Sequence, residues 1–185
     1  MIRTLLLLLL LSGCATPPSG SAVRPVQSEA APFAMNGRIL VKYDGSRDSA
    51  GLRWVHKTQS DEVLLLNPLG QTAVRVYRDE KQAVLDDGER HFQEADVEAL
   101  MTHVLGWSLQ LDELHHWALG KVADGPALIE RDDLGRLRVL RQDGWEVRYL
   151  AYAEEKSDSL PRRMQLTRDN LQVTLLMDEW EWSVE

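Results

Sequence analysis

Over most of the chain, apolar residues alternate with polar ones in short stretches that end at turn-forming pairs. A strand sends successive side chains to opposite faces, so a period of two dictates sheets with one apolar and one solvated face. Ile39, Val41 and Tyr43 alternate with Arg38, Leu40 and Lys42, and Leu52 and Trp54 flank Arg53. Val63–Leu66 is a short apolar run, Val74 and Val76 alternate with Arg75 and Tyr77, and Ala83–Asp86 reads as a further strand. The same period returns later, at Leu137 and Val139, at Trp145, Val147, Tyr149 and Ala151, at Met164 and Leu166, and at Leu171, Val173, Leu175 and Met177. Asp44-Gly45, Asp79-Glu80, Asp87-Gly88, Asp133 to Gly135, Asp143-Gly144 and Asp169-Asn170 mark the turns. Strands joined by tight turns, with no helix between them, build an antiparallel meander.

The period changes once, in the middle. Val97, Leu100, Met101, Val104 and Leu105 share one face of a helix, with Asp96 as N-cap and Gly106 as its stop. A second helix is expected over 112–119, with Leu114 and Trp117 on one face and Gly120 closing it. The fold class is therefore mainly β: a large, strongly curved antiparallel sheet of roughly ten strands with a helical insert between its halves. The sheet must cover its apolar face, and these two short helices are the only large covers available. An incompletely filled, apolar interior follows as an expectation.

The first residues read as an address. Seven leucines, Leu5 to Leu11, follow Arg3. The run is far too short to span a bilayer, which takes about 20 apolar residues, and has the size of a signal-peptide core. Leu11-Ser12-Gly13-Cys14 resembles the bacterial lipobox, and Cys14 is the sole cysteine. Residues 1–13 are thus expected to be a lipoprotein signal peptide and Cys14 the site of lipid attachment. Residues 14–32, rich in Pro, Ser, Ala and Gly, form a flexible tether. Residues 33–185 make a single domain. In Gram-negative lipoproteins an aspartate after the lipid-bearing cysteine usually marks retention in the inner membrane. Here that position is Ala15, which points to the inner leaflet of the outer membrane, facing the periplasm.

Catalytic patterns are absent. The sequence has no G-x-S-x-G elbow, P-loop or H-E-x-x-H. His115 and His116 are adjacent, and helix neighbours point apart by about 100°, so they read as a solvated helix surface rather than a metal face. Asp86-Asp87 and Asp132-Asp133 fall at turns, where Asp bonds its own backbone. A net charge of −8 argues against nucleic acid as a partner. One cysteine excludes an internal disulfide. No enzyme activity, metal or cofactor is expected.

Asn67-Pro68-Leu69-Gly70 breaks the rule that turn tips are polar. Either Leu69 folds back onto the sheet, or it is a small apolar finger that touches a membrane or lipid.

These residues, taken with others in order, resemble the LolB family of outer-membrane lipoprotein acceptors. The matching features are the lipobox at Cys14, Gly37, Trp54, Leu64-Leu65-Leu66-Asn67-Pro68-Leu69-Gly70 and Trp117-Ala118-Leu119-Gly120. Pro161 with Met164-Gln165-Leu166-Thr167, and Met177-Asp178-Glu179-Trp180, complete the pattern. The short tether and the acidic Glu181–Glu185 tail depart from it. The resemblance implies an unclosed β-barrel covered by helices, with an apolar cavity. It implies receipt of acylated lipoproteins from a LolA-type periplasmic carrier and their delivery, without nucleotide, into outer-membrane lipid by a monomer. It makes Pro68, Leu69 and Gly70 the membrane-delivery loop. Strand parity nominates Ile39, Val41, Leu52, Trp54, Val74, Val76, Val147, Tyr149, Leu166, Val173, Leu175 and Met177 as acyl-chain contacts, with Met101, Leu105 and Trp117 in the lid. The rival readings are another acyl-lipid or glycolipid-binding lipoprotein, a structural lipoprotein with a filled sheet, and a hydrolase with a dispersed site.

Overall fold

The computed structural model describes residues 32–182. The expected signal peptide, Cys14, nearly all of the tether and residues 183–185 lie outside them. Six strands come first: β1 (Phe33–Tyr43), β2 (Ser46–Lys57), β3 (Ser60–Leu66), β4 (Thr72–Asp79), β5 (Ala83–Asp86) and β6 (His91–Glu94). Two helices follow, α1 (Val97–Leu105) and α2 (Leu111–Ala118). Five strands close the chain: β7 (Leu128–Arg131), β8 (Leu137–Gln142), β9 (Trp145–Tyr152), β10 (Pro161–Arg168) and β11 (Leu171–Trp182).

All eleven strands form one sheet in the order β6-β5-β4-β3-β2-β1-β11-β10-β9-β8-β7. Each half is a meander, and the antiparallel β1–β11 pairing welds the halves together. The free edges are therefore β6 and β7, the two strands that the helices connect. The barrel is unclosed, and the helical insert lies between its open edges.

Local chemistry explains the elements. Asp96 caps α1 by accepting from the Ala99 N–H at 2.7 Å, and Gly106 ends it in the left-handed region at φ 80°. The Asp44-Gly45 and Asp143-Gly144 hairpins place both turn residues at positive φ, the geometry that matches strand twist. Gly37 sits at a bulge between β1 and β11, where a Cβ would lie 1.9 Å from the Leu176 carbonyl oxygen, so no side chain fits. The paired carboxylates are turn devices. Asp87 accepts from the Glu89 and Arg90 N–H groups, and Asp132 from those of Leu134 and Arg136. Glu181 and Trp182, read as part of a tail, belong to β11; Glu181 accepts from Arg53 at 3.0 Å and from Asn36 at 3.1 Å.

The concave face carries the core, with Trp54, Trp117, Trp145, Met164, Leu166 and Leu175 essentially inaccessible. α2 is fastened to the sheet at both ends. At its start Gln110 makes no side-chain cap and instead accepts from the Trp145 indole at 2.8 Å and from Arg168 at 3.2 Å. Near its end Trp117 donates to Gln142 at 3.1 Å, and the Tyr149 hydroxyl donates to the Trp117 carbonyl at 3.0 Å.

Candidate functional site

Asn67 builds the β3–β4 loop. Its side-chain oxygen accepts from the Leu69 and Gln71 N–H groups at 2.9 and 3.0 Å, and its carbonyl accepts from the Gly70 N–H at 2.9 Å. Gly70 supplies φ 79°. Pro68 cannot donate to a ladder, so pairing stops there. The loop is thereby held in one shape with Leu69 at its tip, 83% exposed. Leu69 does not fold back onto the sheet.

Beneath the helices lies an apolar hollow of about 40 Å³. Its floor comes from β1 to β4 and β11, its roof from α1, α2 and the connection between them. Seven of the fifteen nominated residues line it: Ile39, Leu52, Trp54, Val76, Met101, Leu105 and Leu175. The other eight, Val41, Val74, Trp117, Val147, Tyr149, Leu166, Val173 and Met177, are not among its lining. For Trp117, Val147, Tyr149 and Leu166 the physical reason is α2. Trp117 wedges against Trp145, donates to Gln142 on β8 and accepts from Tyr149 on β9, so the β8–β10 half is solid core. Parity alone cannot distinguish a face that is packed from one that is hollow.

Six lining residues escaped the sequence reading: Val63, Leu65, Trp107, Leu109, Leu111 and Leu114. Val63 and Leu65 lie in an unbroken apolar run, where alternation is invisible. Their pairing with Trp54 and Leu52 on one side, and with Val76 and Val74 on the other, sets their face. The hollow is also smaller than expected. At roughly 10–15 Å³ per water-sized sphere it admits about three or four such spheres and no acyl tail.

A row of polar side chains crosses the same concave face. His56, Asp61 and Arg78 are successive cross-strand partners on β2, β3 and β4. Asp61, 1% exposed, accepts from the Trp54 indole at 2.8 Å, from Arg78 at 2.7 Å, and contacts His56 Nδ1 at 2.8 Å. Burial pushes its carboxyl upward, but His56, Arg78 and the indole outweigh that and hold it below the usual carboxylate range. Arg78 also reaches Asp112 on α2 at 2.6 Å. The His115 ring stacks on His56, which corrects the expected solvated surface at His115-His116. Burial first, and then His56 and His116, lower the His115 pKa to about 4.

Among the described residues no group of three or more His, Cys, Asp or Glu could hold a metal ion. The geometry offers an apolar finger and a covered apolar hollow, joined through β3.

The fold overlays the crystal structure of a DUF1329 family protein from Desulfovibrio piger at a TM-score of 0.52, with 6% identity over 84% of this chain and 87% of that one. The sequence is 36% identical to the outer-membrane lipoprotein LolB of Nitrosomonas europaea, covering 95% of this chain and 89% of that protein. It is also 36% identical to that of Chromobacterium violaceum, covering 98% and 100%. A family model described as outer membrane lipoprotein LolB matches residues 31–180. The chain belongs to the LolB family of outer-membrane lipoproteins, which serve lipoprotein localisation and are not enzymes.

Proposed function

We propose that this protein accepts acylated lipoproteins from a LolA-type periplasmic carrier, lodges an acyl chain under its helical cover, and releases it into outer-membrane lipid without nucleotide. In this reading residues 1–13 are removed, Cys14 carries the lipid anchor, residues 14–32 are the tether and the domain from residue 33 works as a monomer. The observation that carries it is Leu69, held exposed on a rigid loop that continues the strand whose Val63 and Leu65 wall the hollow. An exposed leucine at a built turn has no packing role and suits contact with lipid.

The energetics need no fuel. An acyl chain of about 16 carbons is worth on the order of 12 kcal/mol on leaving water, so an apolar site can hold it and a bilayer can draw it away. The closed hollow cannot hold it, so the cover must move. α2 is tied by Gln110, Asp112 and Trp117, whereas α1 is joined to a strand by His103 to Glu94 at 3.0 Å, at the surface. In this reading α1, held to the sheet mainly by its apolar face of Val97, Leu100 and Met101, is the half that swings.

The test is Leu69→Glu. Uptake of a labelled lipoprotein from the carrier is expected to persist while its transfer to liposomes falls to background. Equal delivery by wild type and variant would overturn the reading.

A further inference from the structure

Most residues around the hollow are buried. The half-buried ones are Val63 and Leu65 on β3, and Leu105 and Trp107 where α1 ends. Solvent therefore approaches the hollow along one side, the seam between β3 and the α1–α2 elbow. Trp107 is the largest group on that seam. It follows Gly106, whose left-handed backbone terminates α1 and makes a natural pivot.

The indoles of this chain differ in how they are held. Trp54 donates to Asp61, Trp117 to Gln142 and Trp145 to Gln110, and each of these rings is buried. The Trp107 N–H has no protein partner among the described residues and reaches solvent. A half-buried indole with its apolar body on a greasy cavity and its polar tip in water sits where an amphipathic ring is most stable. It also loses no hydrogen bond on swinging out.

We propose that Trp107 is the gate of the hollow. Its ring closes the seam against β3 when the site is empty, and it moves out with the end of α1 to admit a fatty acyl chain. The seam runs into the Leu69 loop through Leu65, so chains leave beside the residue that meets the bilayer. This rests on the acyl-chain reading above and deepens it by fixing the route.

The test uses the full chain with Cys14→Ala as a common background and a palmitoylated, dansyl-labelled peptide as probe, followed by stopped-flow fluorescence. Trp107→Ala is expected to raise the uptake rate about tenfold, the signature of a lowered gate, with the release rate rising at least as much because the ring also lines the hollow. Trp107→Phe, which keeps most of the ring, should lie between. Loss of affinity through the release rate alone would mark Trp107 as an ordinary lining residue and overturn the gate. So would unchanged rates in a folded Trp107→Ala protein. Should that variant not fold, Trp107→Leu takes its place with the same expectation. Failure of the background protein itself to bind the probe would instead overturn the acyl-chain reading.

Discussion

The ring of His115 on α2 lies nearly parallel to that of His56 on β2, with centroids 4.3 Å apart and planes 13° apart. Two histidines in face contact cannot both be charged at low cost. The stack thus couples the docking of α2 to pH.

The sign follows from the pKa. His115 titrates near 4 in the folded protein against an ordinary value near 6.5, so the folded state prefers the neutral ring. Its contribution is complete above pH 6.5 and declines as pH falls toward 4. Allowing for its partial exposure, about 1–2 kcal/mol should disappear over that window. Urea unfolding at pH 7 and pH 4.5 measures it. His115→Phe keeps the stacking surface and should lose distinctly less stability between the two pH values than the wild type.

Asp61→Ala strips the acceptor from the Trp54 indole and leaves Arg78 with Asp112 as its remaining carboxylate. Breaking a buried ion pair by removing one partner costs about 3–5 kcal/mol. The denaturation midpoint should drop accordingly, and the Trp54 emission should change with it.

Gly37→Ala places a methyl group into the Leu176 carbonyl. The β1–β11 seam that joins the two halves must open locally, at an expected cost of about 2–4 kcal/mol. Gly70→Ala, which has space but a left-handed backbone, should cost about 1 kcal/mol. The comparison separates steric from conformational demand, again by urea midpoint.

Asn67→Ala removes the three side-chain hydrogen bonds that fix the β3–β4 loop while leaving Leu69 in place. Global stability should change by less than about 1 kcal/mol, since the loop is exposed. Delivery into liposomes should weaken without being abolished, because a loosened leucine pays ordering entropy on contact with lipid. Delivery at the wild-type rate would show that loop shape is immaterial.

Much was legible along the chain. The alternation of Trp145, Val147 and Tyr149, the turns at Asp44-Gly45 and Asp143-Gly144, and the Asp96 and Gly106 caps are local codes, and the structure follows them. β6 and β7 were not seen. Each is four residues long and lies at a sheet edge, where one neighbour rather than two sets the pattern. Asn67-Pro68-Leu69-Gly70 marked a leucine at a turn tip but left open whether it folds back, which the hydrogen bonds of the loop decide in favour of exposure.

By itself the sequence determined an antiparallel sheet, two covering helices and a leucine at a turn tip, because propensity, periodicity and turn type are set by neighbours in the chain. Only the tertiary structure decided which half of the concave face is solid and which is hollow. It also decided that His115 meets His56, and that Leu65 and Trp107 line one hollow while staying half-buried. Those outcomes depend on where Trp117 and the ties of Gln110 set α2 down, which are contacts between residues far apart in sequence.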